Sequence, residues 1–158
     1  MYQRILVPYD DSPTSRRGLD EATRLAKSSG GRVRILHLID DLSYASGFET
    51  GAIYASDVLP VIRKAGAEIL ERARARVAAA QVEVDTLLLE NPGSRLAERV
   101  LDQAQLWQAD LIVIGTHGRR GVARFLMGSD AEQILRLAPV PVLLVRSPHE
   151  GPRPSATR

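Results

Sequence analysis

Four glycines (Gly115, Gly118, Gly121 and Gly128), three arginines (Arg119, Arg120 and Arg124) and His117 are crowded into one short stretch of this 158-residue chain. A backbone without Cβ atoms turns sharply and can aim successive N–H groups at a single anion. His117 and the arginines add donors suited to charge-assisted hydrogen bonds with phosphate oxygens. Gly128-Ser129 opens a helical pattern, and a helix start offers unpaired N–H groups and a dipole that favours negative charge. The set therefore suits a polyphosphate. It is not a Walker A loop, which needs G-x-x-x-x-G-K-S/T, because no lysine follows these glycines, and it is not G-x-G-x-x-G either.

Taken singly, each of these residues has a plainer explanation. Gly115 and Gly118 can form a strand-to-loop turn, and the arginines can be surface charge. Ser129-Asp130-Ala131-Glu132 has the S-x-x-E form of a capping box, so Ser129 is expected to cap the following helix and to share its lone pairs between cap and ligand. Asp10 follows the first apolar run. It is placed either to accept hydrogen bonds from a ribose hydroxyl or adenine amino group, or to bond nearby backbone N–H groups as a turn residue.

The elements that must hold these residues alternate regularly. Arg4 to Pro8 reads as a buried strand, and Ser12 with Pro13 reads as an N-cap and first helical residue. Leu19, Ala22, Leu25 and Ala26 form the apolar stripe of that helix, which Gly30-Gly31 ends. Val33 to Ile39 is a second strand, and Asp40 to about Ser56 a long loop. A helix from Asp57 to about Ala80 carries Ile62, Ala65, Ile69, Ala73 and Val77. Val82 to Leu89, Asp110 to Ile114 and Val140 to Val145 are further strands. Between them lie helices bearing Leu96, Val100, Leu101 and Ala104, and Ile134, Leu135 and Ala138.

Short apolar strands alternating with helices predict a parallel sheet covered on both faces. Right-handed crossovers favour a single-domain, doubly wound, Rossmann-like α/β fold with five strands in the order 3-2-1-4-5. In that order the winding reverses between strands 1 and 4, so the ligand crevice is expected beyond their carboxyl ends. Those ends are Asp10 and Gly115, and this shared position is what turns the glycine cluster from a set of turns into an expected anion site.

Composition narrows the class. With 44% hydrophobic residues the chain suffices for one core, expected over residues 1–147, with 148–158 a disordered tail. There are no cysteines, which excludes disulfides and cysteine-ligated zinc. The 21 basic and 19 acidic residues nearly balance, which speaks against nucleic-acid binding. No run approaches the length needed to cross a bilayer, and the expected setting is cytoplasmic, without membrane contact.

The spacing G-x2-G-x9-G-S/T at Gly115, Gly118, Gly128 and Ser129, with I-L-V-P-x-D-x-S from Ile5 to Ser12, resembles the universal stress protein family. The likeness extends through His37-Leu38-Ile39-Asp40 and Ala138 to Val145. It implies the ATP-binding branch, with ATP as ligand and Mg2+ bridging its phosphates. It further implies that Asp10 and the Leu38 backbone contact adenine or ribose, with Pro8 and Tyr9 lining that end. Gly115, His117, Gly118, Arg119, Gly128, Ser129 and Asp130 would then surround ribose and phosphates. A homodimer through Val140–Val145 is also implied. Two residues depart from the family pattern: Tyr9 is bulkier than the usual residue, and Asp11, where glycine is common, is expected to point into solvent.

The function that this suggests is a stress-response module whose partner surface changes when nucleotide binds. The alternatives are a slow ATPase or adenylyl-transferring enzyme, for which His117 is the one acid–base candidate in the segment, and an ATP-free protein-interaction module.

Overall fold

The computed structural model describes residues 1–39, 56, 58–90, 95–116 and 128–146. Nine elements follow in order: β1 (Arg4–Pro8), α1 (Pro13–Ser29), β2 (Arg32–Ile39), α2 (Leu59–Ala79), β3 (Glu83–Glu90), α3 (Leu96–Leu106), β4 (Leu111–Gly115), α4 (Ser129–Leu137) and β5 (Val142–Val145). The strands form one parallel sheet in the order β3-β2-β1-β4-β5, as the alternation of elements requires. β1 lies at its centre, with Ile5 opposite both Val33 of β2 and Leu111 of β4.

Alternation along β1 supplies both faces of the sheet. Ile5 and Val7 point into a core with Leu19, Ala22 and Ala26 of α1 and Ile69, Leu70, Ala73 and Val77 of α2. Leu6 joins Ala97, Val100 and Ala104 of α3 and Ala131 and Ile134 of α4 on the other face. Residues buried on both sides explain why the strands read as continuous apolar runs rather than alternating ones.

α1 begins as expected. The Ser12 hydroxyl accepts the Ser15 N–H at 3.2 Å, Pro13 occupies the first turn, and Gly30 ends the helix at φ +66°. α2 buries Ile69, Ala73 and Val77 as expected but sets Gly66, not Ala65, on the buried face. A Cβ at Gly66 would sit 2.9 Å from Leu88 Cδ1 and 3.2 Å from His37 Cδ2, so the missing side chain lets the helix lie close on β2 and β3. β5 starts at Val142 rather than Val140, although the Pro141 carbonyl already accepts the Ile112 N–H at 3.0 Å.

The amino-terminal ends of the strands are closed by charge and stacking. Arg34 makes a bidentate pair with Asp85 at 2.6 and 2.9 Å and lies 4.7 Å from the Trp107 ring centroid. The opposite, carboxyl ends of β1 and β4 lead into the turns toward α1 and toward the glycine-rich segment.

Candidate functional site

Beyond the carboxyl edge of the sheet, four segments meet at the point where the winding reverses. The first is the turn from β1 to α1. Pro8 ends β1 and is buried, and the Tyr9 N–H donates to the Leu36 carbonyl at 2.8 Å, which keeps the chain beside β2 for one more residue. His37 Nδ1 lies 2.7 Å from the Tyr9 carbonyl, so the end of β2 and the turn are joined twice. Leu38, half-buried, follows on β2. Asp10 Oδ1 accepts the Ser12 N–H at 3.0 Å, the turn role that its position allowed.

Tyr9 and Asp11 are where the structure departs most from sequence reasoning. The Tyr9 ring is buried with the α1/α2 core. Its hydroxyl donates to Asp11 Oδ1 at 2.8 Å, which also accepts from Arg16 Nε at 2.8 Å. Arg72 of α2 reaches the other oxygen at 3.4 Å. Asp11 therefore does not point into solvent. Its backbone has φ +63°, and the left-handed turn directs the carboxylate back over α1 and α2.

The hydrogen bond from Arg16 is the main reason the Asp11 carboxyl lies well below the usual carboxylate range, against the opposing effect of burial. Burial, reinforced by the Asp11 carboxylate, pushes the Tyr9 phenol up to about 12. Asp11 is thus an anion ion-paired with Arg16 and Arg72.

The other segments come from β4 and α4. A Cβ on Gly115 would lie 2.8 Å from Thr14 Oγ1 and 2.9 Å from the Thr14 carbonyl carbon, so α1 rests directly on the end of β4. Thr116 is buried, and its carbonyl accepts the Gly128 N–H at 3.0 Å. That bond brings the two ends of the glycine-rich segment together. His117, Gly118 and Arg119 lie outside the described residues, as do the expected loop up to residue 55 and the tail from 147 onward.

Gly128, not Ser129, is the N-cap of α4, with φ −59° and ψ 145°. The expected capping box therefore does not form, because Ser129 is already helical and its side chain makes no cap bond. The first helical bond runs from Glu132 N–H to the Gly128 carbonyl at 3.0 Å. The amides of Ser129, Asp130 and Ala131 precede that bond and have no partner within the helix. Ser129 is exposed, and Asp130 half-buried.

The two glycines that flank the segment play different parts. Gly115 is demanded by the fold, since Thr14 occupies the space of its Cβ. Among the described residues nothing makes the same demand at Gly128, whose backbone angles suit any residue and whose Cβ would meet the Thr116 carbonyl at an ordinary 3.6 Å. Sequence reasoning missed Thr14, Arg16 and Arg72, which act through contacts between segments distant in sequence.

Among the described residues no group of three or more His, Asp or Glu could hold a metal ion, and no helix is long and apolar enough to cross a membrane.

Comparison with known proteins places this arrangement. The sequence model described as "Universal stress protein family" matches residues 1–146. A universal stress protein of Thermus aquaticus is 33% identical over 151 residues, spanning 92% of this chain and all of that protein. Among solved structures, a universal stress protein from Archaeoglobus fulgidus in complex with dAMP is 25% identical, with a TM-score of 0.66 over 91% of this chain and 98% of that one. Another universal stress protein, in complex with cAMP, is also 25% identical, with a TM-score of 0.64 over 93% of this chain and 98% of that one. With its sheet order, its switch-point turns and this match along nearly its whole length, the chain belongs to the universal stress protein family.

Proposed function

We propose that this protein binds ATP across the carboxyl ends of β1 and β4 and acts as a nucleotide-responsive regulatory module in the cytoplasm. The observation that carries the reading is the start of α4: a helix without a side-chain cap, entered through a glycine whose backbone angles do not require one, joined to the end of β4. Uncompensated amides and the helix dipole make such a place favourable for phosphate. The adenosine monophosphates held by the two family structures support an adenine nucleotide as the ligand class.

In this reading Asp10 and the Leu38 backbone take the base or ribose, beside Pro8 and Tyr9. Gly115, His117, Gly118, Arg119, Gly128, Ser129 and Asp130 surround ribose and phosphates. Asp130 and Glu132 place negative charge in the first turn of α4, so a polyphosphate there needs countercharge. Arg119, Arg120 and Arg124 supply it, together with Mg2+ held through the phosphates. Two copies pair through Val140–Val145, and nucleotide binding changes the surface that they present to a regulatory partner.

A thermal titration with ATP, ADP and AMP tests the ligand. At a hundred times its Kd, a nucleotide adds about 2.7 kcal/mol of stability. Gly128→Val keeps the fold, at a capping cost of about 1 kcal/mol, and loses the nucleotide-induced shift because branched carbon fills the space before the α4 amides. A wild-type protein whose melting is unmoved by all three nucleotides would refute the reading.

A further inference from the structure

We propose that Asp11 is a positioning residue for the nucleotide site: its carboxylate clasps Tyr9, Arg16 and Arg72 and so holds the turn that presents Asp10. The inference rests on the nucleotide-binding reading and deepens it by naming what organises the base end of the site.

Three non-glycine residues among those described have positive φ: Asp11, Gln81 and Gln108. Gln81 and Gln108 immediately follow the C-caps Ala80 and Trp107, where left-handed backbone is the ordinary way for a helix to end. Asp11 instead stands between a strand and an N-cap, at the switch point. Aspartate enters that backbone region more readily than most residues with a Cβ, because its short side chain can hydrogen-bond nearby groups, and at Asp11 the carboxylate makes such bonds.

The carboxylate provides the hold. Tyr9 reaches it from the end of β1, Arg16 from α1 and Arg72 from α2, at 2.8, 2.8 and 3.4 Å. The Tyr9 ring is anchored in the core, which makes its hydroxyl a fixed point for the carboxylate rather than a passenger. On either side of Asp11, Asp10 Oδ1 accepts the Ser12 N–H at 3.0 Å, and Ser12 caps α1. Relaxing Asp11 to right-handed backbone would swing the Ser12 N–H away from Asp10 and turn the Asp10 carboxylate with it. Asp11 thus sets the direction of a proposed ligand contact without touching ligand, and its own charge is consumed by two guanidinium groups.

Glycine at this position separates positioning from folding, because it accepts φ +63° without a Cβ while removing the clasp. The experiment compares wild type, Asp11→Gly and Asp11→Asn by ATP affinity, thermal midpoint and hydrogen exchange of the Ser12 amide. Asp11→Gly is expected to stay folded with a lowered midpoint, because the Tyr9 hydroxyl loses its acceptor, to bind ATP about fivefold or more weakly at temperatures where it is folded, and to exchange the Ser12 amide faster. Asp11→Asn keeps an oxygen for Tyr9 and Arg16 and recovers most of the affinity. Arg16→Gln, an exposed change that leaves the turn backbone alone, weakens binding in the same direction.

ATP affinity unchanged in Asp11→Gly overturns the positioning role while leaving the nucleotide reading intact. A wild type that binds no adenine nucleotide overturns the nucleotide reading; Ser12 exchange unchanged in Asp11→Gly overturns the clasp whatever the wild type binds.

Discussion

The phenol of Tyr9 gives the β1–α1 turn a signature in alkaline solution. Burial and the neighbouring Asp11 carboxylate raise it to about 12, so the folded chain holds this proton more tightly than the unfolded chain. The stability that this supplies is complete below the ordinary tyrosine value of about 10 and is lost as pH climbs from there through about 12. Tyr9→Phe should remove that decline, and at neutral pH it should cost about 1 to 3 kcal/mol for a hydrogen bond to a charged acceptor. Urea unfolding of both proteins at about pH 8 and about pH 11 measures it; an alkaline loss as steep in Tyr9→Phe as in wild type would assign the slope to other groups. None of this was legible in the sequence. Tyr9 and Asp11 stood out as departures from the family pattern, but where Asp11 points depends on a left-handed backbone and on Arg72, far along the chain.

At the scale of elements, the close approach of α1 to β4 fixes the floor of the site. Thr14 lies where a Gly115 side chain would be, and one of the crowded atoms is backbone, which cannot rotate away. Gly115→Ala should therefore cost about 1 to 3 kcal/mol, the usual range for overpacking a close contact. Thr14→Ala removes the hydroxyl but leaves the carbonyl carbon, so the double variant should recover only part of the loss. Thermal melts of the three proteins decide this, and a Gly115→Ala midpoint equal to wild type would show that α1 can slide. The strands and helices themselves were legible, because apolar runs with β-branched residues and stripes at helical spacing are local signals. What escaped was one-residue detail set by packing. On α2 the buried position fell on Gly66 rather than Ala65, where a Cβ would crowd the Leu88 and His37 side chains. The S-x-x-E pattern misplaced the α4 cap because Gly128 takes the extended cap conformation and leaves Ser129 inside the helix. That Gly115 ends β4 and Gly128 stands at the start of α4 was legible, yet not the different demands on the two glycines, which depend on what each missing Cβ would touch.

At the scale of the whole molecule, β5 has one strand neighbour among the described residues, β4, and the geometry of that strand says which groups a second copy would use. The Pro141 and Val145 carbonyls accept from Ile112 and Thr116 of β4, both at 3.0 Å. In a strand the N–H and C=O of one residue point to the same side and alternate with those of the next, so Val142 and Leu144 turn theirs toward the open edge. All four β5 residues are half-buried, and Leu135 and Leu137 of α4 are 46% and 52% exposed. An unpaired apolar edge of this kind invites association unless something covers it, and a twofold-related copy of the same strand is self-complementary. The expected outcome is a homodimer in sedimentation, with a thermal midpoint that rises with protein concentration because assembly and folding are linked. Leu144→Pro removes an outward N–H while leaving the carbonyls of Pro141 and Val145 on β4, and proline is tolerated on an edge strand. That variant should sediment as a monomer and lose the concentration dependence. If Leu144→Pro remained fully dimeric with its fold intact, the interface would lie on another surface, and the exposed leucines of α4 would be the next to change.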